Sequence, residues 1–142
     1  QDLVGSFENT FEDFGLEKIK TVGDAIVAVA GLSSHSSSPV KSCVDCAYKI
    51  REIANTASMP WDLHLGIHSG SLVAGTVGTK TVQFDILGQT VNVAFNICDM
   101  SEPNQILISS EAWMTARNEI KVKSMGLKRL KSGHDIEMLQ CL

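Results

Sequence analysis

The sequence has no long run of basic residues and no long run of apolar ones. Its 142 residues include 12 Lys and Arg against 16 Asp and Glu, which gives a formal net charge of −4. Because nucleic-acid-binding faces are strongly basic, this balance argues against binding to DNA or RNA, although it permits binding of a single nucleotide. No segment approaches the ~20 apolar residues that a membrane-spanning helix needs. We therefore expect a globular domain that contacts neither nucleic acid nor membrane.

Paired cysteine motifs are also scarce. Cys43 and Cys46 form a C-x-x-C pair without a second pair or a histidine at ligand spacing, and Cys98 and Cys141 stand apart. A structural zinc site normally takes four such ligands. We therefore interpret the pair as two helical neighbours in a reduced, cytoplasmic protein, with a zinc or redox site as the alternative.

The start of the chain lacks the features of a secreted precursor. It begins with Gln1 rather than Met and shows no signal peptide. We expect a fragment of a longer protein, in which a sensor domain or membrane segment upstream would be invisible here. Residues 1–142 have the length of one domain that buries a core without disulfides.

Hydrophobic spacing predicts a chain of mixed secondary structure. Apolar residues recur with helical period over residues 2–14, 39–55 and 89–100. Two strand-like runs flank Gly23-Asp24, as in a hairpin. Further strands are predicted in "WDLHLGIHSG", "VQFDIL", "QILIS", "IKVKSMGLKRL" and "IEMLQCL", and a short helix in "SEAWMTAR". This order favours an α+β or an α/β sandwich in which helices cover a mainly antiparallel sheet, and α+β is the class we predict.

Six polar residues are brought together only by the family resemblance described next, and each taken singly also fits a solvated surface. They are Lys20, Asp24, Asp85, Asn92, Asn96 and Lys131. A carboxylate suits Mg²⁺, a lysine with an acid can read a base edge, and a lysine suits phosphate. Together the six fit a nucleoside triphosphate site.

Four segments, in the right order, resemble the catalytic domains of class III nucleotide cyclases of the adenylyl type. "LEKIKTVGDAIVAVAGL" is similar to their hairpin, "LHLGIHSGSLVAGTVG" to the next strand pair, "QFDILGQTVNVA" to the base-recognition strand and following helix, and "LKRLKSG" to the phosphate-lysine segment. The resemblance implies a ferredoxin-like βαββαβ core. It also implies a head-to-tail homodimer, or a heterodimer with a related cyclase domain, with sites shared between subunits.

The same resemblance implies a reaction and a role for each matching residue. ATP would be converted to cyclic AMP and pyrophosphate with two Mg²⁺ (or Mn²⁺) ions per site. Asp24 matches the second metal aspartate, Asn92 the asparagine that orients the ribose, and Lys131 the lysine that holds the triphosphate. Lys20 and Asp85 match the pair that reads adenine. An acceptor beside the adenine amino group and a donor beside its ring nitrogen are complementary in polarity, whereas guanine would be mispaired.

The sequence departs from the family pattern at two places. The first metal aspartate of the family lies in a Phe-x-Asp-Ile strand ahead of the first helix, and this chain has no such strand, so we expect a gap in its sheet. Asn96 stands four residues after Asn92, where the family has its transition-state arginine. Loss of that charge predicts slow turnover. On this ground alone, Asn96→Arg should raise turnover at least about tenfold in a longer chain that restores the upstream aspartate strand.

Two alternatives to an active adenylate cyclase follow. The Asn96 departure favours a degenerate domain that binds nucleotide or a partner cyclase and regulates it without turnover. An unrelated ferredoxin-like interaction module is the weaker alternative. Retention of Lys20, Asp24, Asp85 and Lys131 favours the enzyme.

Overall fold

A computed structural model describes residues 2–31, 38–70 and 89–142. The helices are α1 (Leu3–Asp13), α2 (Pro39–Thr56), α3 (Gln89–Met100) and α4 (Ser110–Met114). The strands are β1 (Leu16–Val22), β2 (Ala25–Ala30), β3 (Leu65–Ile67), β4 (Ile106–Ser109), β5 (Val122–Arg129) and β6 (Asp135–Cys141). The predicted α+β fold is confirmed, with α1, α2 and α3 within two residues of their predicted bounds.

The predicted hairpin is formed by β1 and β2. They pair antiparallel from Leu16 opposite Ala30 to Val22 opposite Ala25, and Gly23 supplies the positive φ of 59° that the tight turn needs. A bulge interrupts the register between Lys18 and Lys20. Because a bulge breaks the alternation of side-chain directions, Lys20 does not continue the face of Lys18.

A second sheet is built from the remaining strands in the order β3-β4-β6-β5. β3 runs parallel to β4, and the other pairs are antiparallel. Within the described residues the six strands therefore form two sheets instead of one. The gap that we expect in the sheet, where the family has its Phe-x-Asp-Ile strand, stays a prediction.

Helices α1 and α2 cover the hairpin and the start of β3. Their shared core joins side chains of both helices and of β1, and its buried members are Phe7, Phe11, Leu16, Cys46, Ile50 and Ala54. Ile26, Ala28 and Ala30 of β2 pack against this core at alternate positions, as one face of a strand does. The N-cap of α1 is Asp2, whose carboxylate accepts from the Val4 amide at 3.1 Å.

Helix α3 lies directly on β3 because Gly66 has no side chain. A Cβ atom at this position would lie 2.5 Å from the Cys98 amide nitrogen and 3.0 Å from the Ala94 carbonyl oxygen. Ile97, one turn after Ala94, is fully buried and joins α3 to a core shared with β4, β6 and Leu130. These contacts fix α3 between β3 and the end of β5.

Two parts of the strand prediction differ from the structure or fall outside it. The segment "WDLHLGIHSG" forms a strand only over Leu65–Ile67, and residues 61–64 precede it without regular structure. Asn104 explains this: its side-chain oxygen accepts from the Leu63 amide at 3.1 Å, which replaces a ladder bond there. The predicted strand over residues 82–87 lies outside the described residues.

Candidate functional site

Helix α3 carries two of the predicted site residues, Asn92 and Asn96, and contacts the turn between β5 and β6, which carries a third, Lys131. Asn92 is exposed and Asn96 is half-buried one helical turn later. The Asn96 Nδ2 atom donates to the Asn92 carbonyl at 2.7 Å, and Asn96 Oδ1 accepts from the backbone amide of Lys131 at 3.1 Å. The structure thus joins residues that lie 35 positions apart in sequence.

The Lys131 side chain extends into solvent beside α3. It is 80% exposed, and its Nζ lies 3.7 Å from an Oδ2 atom of Asp99, which is 63% exposed. Ion pairs this open are weak, so the ammonium group remains available to a stronger anion. Asp99 was not predicted. Its position three residues after Asn96, on the same helical face, is the sequence signal that would have found it.

The backbone at Lys131 is held by the turn that contains it. The Leu130 amide donates to the His134 carbonyl at 2.8 Å, and the Gly133 amide donates to the Leu130 carbonyl at 2.9 Å. Gly133 has a φ of 92°, which favours glycine at this position. Leu130 is buried in the core that contains Ile97, so the residues next to Lys131 and next to Asn96 pack in one cluster.

The other described candidates lie on the hairpin. Lys20 is half-buried on β1 after the bulge, and Asp24 is exposed at the turn. In the described part of the chain, no hydrogen bond or ion pair links Lys20 or Asp24 to α3 or to Lys131. Asp85 lies outside the described residues.

Asp24 is chemically suited to a divalent metal but does not form a metal site alone. Its carboxylate is a hard oxygen ligand of the kind that Mg²⁺ prefers. Within residues 2–31, 38–70 and 89–142, no group of three or more His, Cys, Asp or Glu side chains is placed to hold a metal ion. These residues therefore fit one metal ligand and not a complete protein cage.

The C-x-x-C pair lies on α2, and all four cysteines are free. Burial raises the pKa of Cys43 to about 11 and that of Cys46 to about 12. Both sulfurs therefore stay protonated near neutral pH, and a thiol is a poor nucleophile and metal ligand. Cys46 is buried in the core of α1, α2 and β1, and Cys43 packs against that core, as two helical neighbours do.

His68 follows β3 and contacts the start of α4. Its Nδ1 atom lies 2.7 Å from the Ser109 hydroxyl, which also caps α4 by accepting from the Ala112 amide at 3.2 Å. Burial lowers the pKa of His68, and the nearby Glu111 carboxylate opposes this shift. Ser109 is fully buried and His68 is half-buried, and their contact joins the residue after β3 to the end of β4 and the start of α4.

Comparison with known proteins identifies the family. Residues 1–141 match the family described as the adenylate and guanylate cyclase catalytic domain. Because the match covers almost the entire chain, this chain belongs to that family, as its motifs predicted. The family comprises lyases that act in cyclic nucleotide signalling.

Relatives of both nucleotide types resemble the chain. Soluble guanylate cyclase gcy-31 of Caenorhabditis elegans is 30% identical over 96% of this chain and 20% of its own length. An adenylate cyclase of Mycobacterium bovis is 28% identical over 89% of this chain and 31% of its own length. The chain thus spans less than a third of either relative, and the two names leave the choice of nucleotide open.

A solved structure supports the fold. The guanylate cyclase domain of RhGC from Catenaria anguillulae, solved in complex with GTP, superimposes with a TM-score of 0.84 and covers 99% of this chain and 79% of that domain. At 20% identity this likeness concerns the fold alone. Within the described residues, no helix is long and apolar enough to cross a bilayer.

Proposed function

We propose that this domain converts ATP to cyclic AMP and pyrophosphate. The observation that carries the proposal is the hydrogen-bonded connection of Asn92, Asn96 and Lys131 along α3, with the lysine ammonium group exposed. An exposed cation on a fixed backbone suits a triphosphate, and the neighbouring exposed amide of Asn92 suits a ribose hydroxyl.

Adenine selection is proposed for Lys20 with Asp85. Lys20 would donate to an acceptor on the adenine ring, and the Asp85 carboxylate would accept from the amino group. The change of face at the bulge directs Lys20 away from the side on which Lys18 pairs with Glu8 of α1. Guanine has its hydrogen-bond donors and acceptors in the reverse order, so GTP would leave the polar groups of Lys20 and Asp85 without partners.

Asp24 is proposed to bind one of two Mg²⁺ (or Mn²⁺) ions together with the nucleotide phosphates. Mg²⁺ commonly takes one or two carboxylates plus substrate phosphates, so a single exposed carboxylate at the hairpin turn is compatible with this role. When bound, the metal would supply neutralisation of charge on the triphosphate. In line with the family resemblance, the site is proposed to be completed by a second copy or a related cyclase domain.

Turnover assays test the proposal directly. The purified chain, alone and mixed with a related cyclase domain, would be incubated with ATP or GTP and either Mg²⁺ or Mn²⁺, and cyclic nucleotides would be quantified. We expect cyclic AMP well above cyclic GMP, and the Lys20→Glu, Asp85→Cys double variant should shift preference toward GTP. Equal use of both nucleotides by the wild type would refute the roles of Lys20 and Asp85.

A regulatory domain without turnover is the second candidate. It is favoured by the Asn96 side chain, which is uncharged and already bonded to Asn92 and to the Lys131 backbone. Such a domain would bind ATP and alter the rate of a partner cyclase, yet form no cyclic AMP in any homogeneous preparation. The chain assayed alone separates the two candidates, because cyclic AMP from a homogeneous preparation is expected of the enzyme and not of the regulatory domain.

A further inference from the structure

We propose that Asn96 is a positioning residue for Lys131, a role distinct from the arginine that the family carries at this place. The inference rests on the proposed function, in which Lys131 binds the triphosphate. It concerns how this chain fixes that lysine relative to α3.

Both ends of the Asn96 amide are committed to the link between α3 and the turn. Its oxygen accepts from the Lys131 amide at 3.1 Å, and its nitrogen donates to the Asn92 carbonyl at 2.7 Å. A flipped amide would set oxygen against carbonyl oxygen and nitrogen against an N–H group, so the two partners determine its orientation. Asn96 thus accepts a hydrogen bond from the Lys131 backbone, and its own orientation is fixed by the hydrogen bond to its helix.

The link lies where it controls the direction of the lysine side chain. Leu130, the residue before Lys131, is buried with Ile97, the residue after Asn96. Beyond Lys131 the chain turns through Gly133 and returns as β6. The Asn96 bond therefore fixes the first exposed residue of the turn, the point at which the backbone leaves the core.

Asp99 completes the arrangement from the same helix. It lies one turn after Asn96, and its carboxylate is 3.7 Å from the Lys131 ammonium group. Asn96 holds the lysine backbone, and Asp99 attracts its charged end along the surface of α3. Because this ion pair is exposed, a polyphosphate with several charged oxygens displaces Asp99 while the backbone bond persists.

An arginine at position 96 cannot perform this role. Arginine has donors and no acceptor, so it cannot receive the Lys131 amide, and its charge would lie near the lysine. Asn96→Arg is therefore expected to release the turn and repel Lys131. This opposes the gain in turnover expected from the sequence alone.

Binding of ATP to the single and double variants tests the proposal. Lys131→Ala should weaken the affinity for Mg·ATP about tenfold, and Asn96→Ala about threefold. If Asn96 acts through Lys131, the Asn96→Ala effect should disappear in the Lys131→Ala background. Affinity for adenosine, which has no phosphates, should be the same for all four proteins.

Asn55→Ala is the matched control. Asn55 also donates to the carbonyl four residues earlier, that of Arg51 at 2.7 Å, and to a loop residue, Asn104 at 3.1 Å. It lies on α2 and contacts no residue of the α3 turn in these bonds. Its replacement should lower the melting temperature as Asn96→Ala does and leave the affinity for Mg·ATP unchanged.

Hydrogen exchange gives a second measurement that does not depend on nucleotide. In the wild type the Lys131 amide should exchange slowly, and Asn96→Asp, which keeps an acceptor oxygen, should retain more protection than Asn96→Ala. A Lys131→Ala variant with unchanged ATP affinity would refute the proposed triphosphate role and this inference with it. A tenfold loss in Lys131→Ala with additive effects in the double variant, or a rapidly exchanging Lys131 amide, would refute the inference alone.

Discussion

Replacement of Gly66 by alanine tests the contact on which the site is built. A Cβ atom at this position would lie 2.5 Å from the amide nitrogen and 2.9 Å from the Cα atom of Cys98, and 3.0 Å from the Ala94 carbonyl oxygen. Carbon contacts are optimal at roughly 3.5–4.0 Å, so α3 and β3 would have to separate by about 1 Å. The obstructing atoms are backbone, and no side-chain rotation relieves the overlap.

The cost follows from what holds α3 in place. Ile97, next to Cys98 in α3, is fully buried in a separate core with residues of β4 and β6, so displacement of α3 disturbs that core as well as the contact with β3. Overpacking of this kind typically costs about 1–3 kcal/mol of unfolding free energy. For a domain of this size, that corresponds to a melting temperature lower by roughly 3–10 °C.

Gly5→Ala provides a control of opposite sign. Gly5 lies inside α1, and a Cβ atom there would meet Asp2 at an ordinary 3.7 Å. Alanine should raise the unfolding free energy by about 0.5–1 kcal/mol, because it restricts the unfolded chain and favours the helix. Urea and thermal unfolding followed by circular dichroism measure both variants. A Gly66→Ala protein within about 0.5 kcal/mol of the wild type would show that α3 does not rest on β3 as described.

Three further predictions concern pH, thiol reactivity and association. Burial lowers the pKa of His68, so on acidification the unfolded chain binds a proton at a higher pH than the folded chain does, and the unfolding free energy should fall as pH decreases below about 6.5. Urea unfolding between about pH 7 and 5 should show a weaker pH dependence for His68→Asn than for the wild type. Parallel curves for the two proteins would contradict this prediction. Iodoacetamide at pH 8 should label Cys43 and Cys46 at least about 100-fold more slowly than a free thiol until urea is added, because burial raises the pKa of Cys43 to about 11 and that of Cys46 to about 12. Sedimentation should reveal a homodimer, or a heterodimer with a related domain, that is strengthened by an ATP analogue and Mg²⁺, and a strict monomer at high concentration under both conditions would count against the shared site.

Local patterns in the sequence predicted most of the fold. The 3.6-residue periods over α2 and α3, and the Gly23-Asp24 turn between two apolar runs, are signals that each element carries within itself. The spacing of Asn92 and Asn96 likewise placed them on one face of α3, which the bond between them confirms. Such features need no knowledge of the rest of the chain.

Contacts between distant segments could not be predicted in this way. Gly66 looks like any glycine in a strand, and only the approach of α3 shows why a side chain is excluded. The bond from His68 to Ser109 joins residues 41 positions apart. Strand β3 begins only at Leu65 because Asn104 bonds the Leu63 amide. The positive φ of 65° of Asn104 and its side-chain bonds exist only in the folded chain.

Asn96 shows most clearly where reasoning from sequence ends. By the resemblance of its motif to the family, it stands where an arginine is expected, and the remedy that follows from the sequence is to restore the charge. In the folded chain it has two partners, and one of them is the backbone of the lysine proposed to bind phosphate. One N–H of its amide remains for a substrate, but no charge, so stabilisation of the triphosphate by this region depends on Lys131. An arginine at position 96 would add its own positive charge, but it would also remove the hydrogen bond that fixes the backbone of Lys131. The outcome for turnover depends on which cation reaches the phosphates, and the ATP affinities of the Asn96 and Lys131 variants measure that directly.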